Sequence, residues 1–251
     1  MPFTHAAGHR LEYSIWPGGP PTIVMLHEGL GSLSSWKEFP ADVARATGRQ
    51  VLAYSRYGHG NSELLAAPRD LGYMHDEALI ALPDLLDSLA IERPFLLGHS
   101  DGASIALIHA GSTIRPVSGL ILLAPHVFIE NLTIASIAEI RETYAGTGLR
   151  AQLARHHRDA DLTFRGWNDV WLGPGFKDWN IEEYLPAITS PILVVQGLDD
   201  EYGTMEQARR IARAGADVTI LKLESCGHSP QRDQPERVLE AIRAFVYSVT
   251  G

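Results

Sequence analysis

The stretch that most constrains this chain is Pro94-Phe95-Leu96-Leu97-Gly98-His99-Ser100-Asp101-Gly102-Ala103-Ser104-Ile105-Ala106-Leu107. A short apolar run ends in the pattern Gly-x-Ser-x-Gly, and small and apolar residues follow at helical spacing. This reads as a strand, one sharp turn and a helix, with Ser100 at the turn in a strained backbone conformation. A β-carbon at position 98 or 102 would press on the adjoining strand or helix, so glycine is required at both. The Ser100 hydroxyl is then expected to stand clear of the backbone at the carboxyl end of a sheet. The Asp101 N–H should point toward the same space. Ser100 is the candidate nucleophile.

The rest of the chain supplies a sheet for that turn to sit on. Residues 10–16 alternate and predict an early strand, closed by Pro17-Gly18-Gly19-Pro20-Pro21. Residues 22–27, 50–56, 117–124 and 191–197 are apolar runs of the kind expected for strands buried on both faces, and 218–224 predicts a last strand. Helices are expected near 35–47, 73–89, 204–214 and 235–249. Strands alternating with helices imply an α/β fold with a mostly parallel sheet covered on both sides. Between about 125 and 187 the rhythm breaks into helical pieces rich in aromatics, among them Phe164, Trp167, Trp171 and Trp179. The expected organisation is a core of residues 1–124 and 188–251 with a helical cap, 125–187, inserted over the carboxyl end of the sheet.

Length and charge narrow the function. A chain of 251 residues fits one large domain, and a net charge of -9 argues against nucleic acid or an anionic membrane as a general partner. Residues 1–5 lack the layout of a signal peptide and no apolar run reaches membrane-spanning length, while the lone Cys226 cannot form an internal disulfide. A cytoplasmic protein with a small-molecule substrate is expected. The sequence leaves oligomeric state open, a homo-oligomer included.

A serine hydroxyl becomes a good nucleophile only when a base takes its proton and an acid orients that base. Of eleven histidines, His228 follows the last strand in Glu224-Ser225-Cys226-Gly227-His228-Ser229-Pro230, at the same end of the sheet as Ser100. His27 closes a strand and His99 lies inside the elbow, and both are expected to be structural. His156-His157 with Asp159 and Asp161 has no convergent metal-ligand spacing, and a solvated cap helix is expected there. The acid is expected from Gly197-Leu198-Asp199-Asp200-Glu201, because Ala124-Pro125-His126 carries no carboxylate after the 117–124 strand.

These pieces, with Leu26-His27-Glu28-Gly29-Leu30-Gly31 and the Arg56-to-Ser62 loop, resemble the cap-bearing serine hydrolases of the α/β-hydrolase superfamily from residue 26 to the final helix. The resemblance implies the chain order Ser100, acid, His228. It selects Asp200 over Asp199 as the acid and places the oxyanion-hole donors on the Gly29 and Asp101 N–H groups. It implies a carboxylesterase-like reaction through an acyl-enzyme, needing no metal or organic cofactor. Lactones, amides and carbon–carbon bonds of diketones remain open as substrates, as does a hydrolase-fold receptor without turnover. Relatives that place a carboxylate at the elbow are excluded by Ser100. The chain departs from the family at Glu28, where glycine is common, and at Ser55, where aspartate is frequent.

Three side chains are candidates for substrate binding: Glu28, Trp167 and Trp171. Glu28 and Asp101 together suggest two carboxylates flanking the reacting carbonyl and a cationic group on the substrate. The alternative is that Glu28 pairs with Arg56 and that Asp101 caps the elbow helix or bonds a cap residue.

Overall fold

The computed structural model describes residues 2–146, 148–214 and 217–251. Eight strands form its sheet: β1 (Phe3–Ala6), β2 (His9–Trp16), β3 (Gly19–Leu26), β4 (Arg49–Tyr54), β5 (Phe95–His99), β6 (Gly119–Leu123), β7 (Ile192–Gly197) and β8 (Val218–Leu223). Their spatial order is β1-β2-β4-β3-β5-β6-β7-β8. β2 pairs antiparallel with β1 and β4, and every other pairing is parallel. The expected mostly parallel sheet is therefore present. The loops that leave the carboxyl ends of β3, β5, β6, β7 and β8 share one edge of it.

Successive side chains of a strand face opposite ways, so a strand covered on both sides must be apolar at nearly every position. Val24, Leu96, Leu122 and Val194 join one core cluster with residues of the helical stretch 73–88 and the helices Asp101–Gly111 and Met205–Ala214. Their strand neighbours Met25, Leu97, Ile121 and Val195 join a second cluster with the helices Phe39–Thr47 and Pro235–Thr250. This two-sided burial is the reason these strands read as unbroken apolar runs.

Two boundaries differ from the sequence reading. The expected helix at 35–47 begins only at Phe39, after a separate 3-10 turn at Ser34–Trp36 and Lys37 at φ 53°. The sequence reading contains no strand before residue 10, yet β1 forms by pairing Phe3–Ala6 with His9–Glu12 across a turn at Ala7-Gly8. Its four residues have no periodic signal of their own, and the neighbouring strand creates it.

Between β6 and β7 the described residues carry the helices Asn131–Thr143, Leu149–Leu153 and Ala160–Trp171 and the 3-10 turns Phe176–Asp178 and Glu182–Ala187. The Asp159 carboxylate caps the helix Ala160–Trp171 by accepting from the Leu162 N–H at 2.9 Å. The segment is fastened to the loop after β7. Thr133 Oγ1 donates to the Tyr202 carbonyl at 2.5 Å, Ser136 Oγ to that of Glu201 at 2.6 Å, and Glu130 accepts from the Thr204 N–H and hydroxyl.

His156 and His157 correct an expectation. They follow the helix Leu149–Leu153 rather than lying on a solvated helix, and His157 is buried against the sheet loops. No helix of the described residues is long and apolar enough to cross a membrane.

Candidate active site

Ser100 sits between β5 and the helix Asp101–Gly111 with φ 52° and ψ -117°, a conformation an L-residue adopts only under tertiary constraint. A β-carbon on Gly98 would overlap the Gly102 carbonyl, and one on Gly102 would overlap the Leu26 carbonyl of β3. Elbow, helix and sheet are thus in backbone contact at the turn. The Ser100 N–H donates to the Leu123 carbonyl at 2.9 Å, which anchors the turn to β6.

His228 and Asp200 converge on this hydroxyl. His228 Nε2 lies 2.9 Å from Ser100 Oγ, and His228 Nδ1 lies 2.9 Å from both Asp200 oxygens. An Nδ1–H held by the carboxylate leaves the Nε2 lone pair facing the serine, the tautomer a general base needs. Asp200 also accepts from the Tyr202 N–H at 2.8 Å, the Gly203 N–H at 3.2 Å and Gln196 Nε2 at 2.7 Å. Burial pushes its pKa up, but the bonds from His228 and the Tyr202 N–H outweigh that, and the net shift is downward. Asp199, its neighbour, is exposed.

The loop after β3 brings the Gly29 N–H, and the elbow brings the Asp101 N–H. Neither donates to a protein group among the described residues. The loop carbonyls, by contrast, are all held. His27 Nδ1 (2.7 Å) and Arg56 Nη2 (3.0 Å) donate to the Glu28 carbonyl. His59 Nε2 reaches the Gly29 carbonyl at 3.0 Å, and His157 Nε2 reaches that of Leu30 at 2.9 Å. Each imidazole is occupied on its other nitrogen too: His27 by the Arg56 N–H, His59 by Arg69, His157 by the Gly60 N–H. Burial lowers the pKa of all three and keeps them neutral.

The flanking carboxylates take neither arrangement in full. Glu28 does not pair with Arg56 through its carboxylate. It faces His99 Nδ1 at 3.5 Å and Arg232 Nη2 at 3.6 Å. Burial alone would raise its pKa, but those two partners hold it well below the carboxylate range. The Asp101 side chain is buried and does not line the cavity around Ser100. Its Oδ2 accepts from the Tyr73 hydroxyl at 2.5 Å, Tyr73 accepts from Trp171 Nε1 at 3.0 Å, and Arg56 stands 3.8 Å away. Asp101 thus reaches the inserted segment through Tyr73.

Above Ser100 is a cavity of about 220 Å³. Leu30, Ile137, Ile140, Trp167 and Trp171 give it apolar walls, and Glu28, His126, Glu201 and Tyr202 bring polar groups. Among the described residues no lysine or arginine lines it. Glu28, Trp167 and Trp171 therefore all reach the cavity. Trp167 packs so tightly on Gly29 that a β-carbon there would overlap its indole, whereas Trp179 stacks on Phe176 at 5.5 Å outside the cavity lining.

Sequence reasoning missed His126, Tyr202, Gln196, His59 and His157. His126 had a usable signal, since it stands at the carboxyl end of β6 where an acid was sought. His157 had none, because its partners are backbone carbonyls far away in the chain.

A family model described as the alpha/beta hydrolase family matches residues 23–241. The chain is 27% identical over 250 residues to the dihydrolipoyllysine-residue acetyltransferase component of an acetoin cleaving system from Pseudomonas putida, covering 91% of this chain and 64% of that protein. It is 25% identical over 270 residues to 2-hydroxy-6-oxononadienedioate/2-hydroxy-6-oxononatrienedioate hydrolase 2 of Pseudomonas putida, covering 94% of this chain and 91% of that one. The crystal structure of the enol-lactonase from Burkholderia xenovorans LB400 superposes with a TM-score of 0.77 at 21% identity, covering 98% of this chain and all of that one. At that identity the likeness is one of fold.

Proposed function

Because the chain belongs to the alpha/beta hydrolase family, we propose that it is a serine hydrolase cleaving a small, uncharged carboxylic ester or lactone through an acyl-enzyme. The observation that carries this reading is the Ser100–His228–Asp200 relay, with both links at 2.9 Å, opening on the cavity.

His228 takes the Ser100 proton as Oγ attacks the carbonyl, and Asp200 stabilises the imidazolium that results. The Gly29 and Asp101 N–H groups, without an acceptor among the described residues, receive the oxyanion. His228 returns its proton to the leaving oxygen. Water then attacks the acyl-enzyme with the same base, and Ser100 is released. Residues 125–187 act as the cap that closes this site, with Trp167 and Trp171 against the substrate.

The hydrolase relative named for a dienedioate acts, by that name, on a dicarboxylate. Among the described residues the cavity offers such a dianion no lysine or arginine and presents Glu28 and Glu201 instead. That favours an uncharged ester or lactone over a diacid carbon–carbon substrate.

The test is covalent labelling by a fluorophosphonate, followed by steady-state hydrolysis of a small ester. Labelling of the wild type, none in Ser100→Ala with unchanged circular dichroism, and repeated turnover support the proposal. Labelling at another serine refutes it, and a single stoichiometric release indicates a receptor.

A further inference from the structure

His126 lies in the same cavity and has no part in the relay. It is 2% exposed, and it lines the cavity between His228 and Trp171, whose rings are each 5.5 Å from its own, centre to centre. Its backbone is fixed, since its carbonyl accepts from Ser104 Oγ at 2.7 Å. Its ring is confined from behind: a β-carbon on Gly203 would come within 3.2 Å of Cε1. Yet neither ring nitrogen makes a hydrogen bond to protein among the described residues, and Nδ1 is buried without a partner.

An unpaired buried polar atom costs about 1–3 kcal/mol. Of the buried polar atoms without a partner among the described residues, that of His126 is the one on a residue lining the cavity. Burial, with His228 next, lowers the His126 pKa to about 3, so the ring is neutral near pH 7. A neutral imidazole offers one N–H and one lone pair. It suits an uncharged oxygen and makes a poor counter-ion for a carboxylate. Tyr202 lines the same cavity, with its ring 4.7 Å from His228.

We propose that His126 is a substrate-binding residue that hydrogen-bonds a hydroxyl or carbonyl oxygen on the acyl portion of the substrate. The substrate class is then a short, oxygen-substituted acyl ester or lactone. This rests on the hydrolase reading above and deepens it. Ser100 Oγ, which carries the acyl group, is 2.9 Å from His228 Nε2, and the His126 ring is centred 5.5 Å from that of His228 in the same cavity. The bonded oxygen is therefore placed close to the carbonyl, on the first or second carbon past it.

The test compares ethyl lactate with ethyl propionate, and ethyl β-hydroxybutyrate with ethyl butyrate, in wild type, His126→Phe and His126→Asn. The wild type should favour at least one hydroxy ester over its match by roughly tenfold in kcat/KM, the scale of one uncharged hydrogen bond. In His126→Phe that ratio should fall to about one, carried by KM, while His126→Asn, which keeps a donor and an acceptor, should retain part of it. No preference in the wild type, or a ratio unchanged in His126→Phe, overturns the proposal. The latter result leaves His126 bonded to water alone.

A second arm needs no turnover. Ser100→Ala with isotope-labelled histidine is titrated with ethyl β-hydroxybutyrate to saturation, and the ring nitrogens of His126 are followed by NMR. They should shift; ligand bound with the His126 signals unmoved refutes the assignment. If the wild type hydrolyses no ester and takes no fluorophosphonate, the hydrolase reading fails, and this arm still decides the role of His126.

Discussion

Three neutral histidines hold the oxyanion loop and a fourth, His126, lines the cavity, and they are finished to different degrees. On the oxyanion-loop side, His27, His59 and His157 use both ring nitrogens, donating to three successive carbonyls and accepting from Arg56, Arg69 and Gly60. In the cavity, neither ring nitrogen of His126 bonds to protein among the described residues, and Nδ1 is buried. The first arrangement fixes a backbone whose N–H must already be aimed before charge develops on the substrate, and preorganisation of that kind tolerates no slack. The second leaves a binding group to be completed from outside. The same residue type thus serves positioning where it is saturated and recognition where it is not.

The relay between the two sides should show the largest effect. Asp200→Asn is expected to lower kcat by roughly 10⁴-fold through loss of the His228 tautomer. Asp199→Asn, at an exposed site, should stay within about threefold, as surface changes usually do. An Asp199 effect tenfold larger than that of Asp200, read in steady-state kinetics, would reassign the acid.

Next in size is the saturated side. His157→Ala frees the Leu30 carbonyl and the Gly60 N–H together. It should lower kcat about 10- to 100-fold, somewhat less than outright loss of an oxyanion donor, with KM nearly constant. All substrates should suffer alike, unlike the substrate-selective loss expected at His126. His157→Gln should recover part of the rate, and a loss confined to KM would show that the loop is held without it.

A smaller effect is expected beneath the elbow. Tyr73→Phe removes the hydroxyl that donates to Asp101 and accepts from Trp171. Orphaning the two buried groups should cost about 1–3 kcal/mol for each in urea unfolding. A cost below that range would mean Arg56 alone satisfies Asp101.

The smallest effect is in pH dependence. The unfolded histidines protonate near pH 6.5, whereas folded His27, His59, His126 and His157 have lowered pKa values, His126 to about 3. Below pH 6.5 the unfolded chain binds more protons, so stability is complete above that pH and falls as pH drops toward the folded values. Each such group contributes a slope of up to about 1.4 kcal/mol per pH unit. His157→Gln should flatten the melting-temperature profile below pH 6.5 by up to one proton, and an unchanged slope would mean His157 is already charged when folded.

The elbow was legible in the sequence because its constraint is local: two glycines, a serine and an apolar run within ten residues. The parallel strands were legible because two-sided burial leaves an unbroken apolar record. Asp200 was separable from Asp199 only through a family resemblance, and the structure adds that one is buried on Gln196 while the other is exposed. The pairing of Glu28 with Arg56 was wrong for the carboxylate because Arg56 reaches the Glu28 carbonyl, and no spacing rule distinguishes a side-chain partner from a backbone one. His157 looked like a solvated residue because its neighbours in sequence are charged, while its neighbours in space are loop carbonyls.

The sequence by itself determined the fold class and, with a single cysteine, the absence of an internal disulfide; both follow from residue type and short-range spacing. The order of the candidate triad came only with the family resemblance. Tertiary structure alone decided which of the histidines around the site are saturated and that His126 is not. A hydrogen bond is fixed by distance and direction within about 3 Å, and the groups that meet His157 and His126 come from segments the chain brings together only when the sheet is complete.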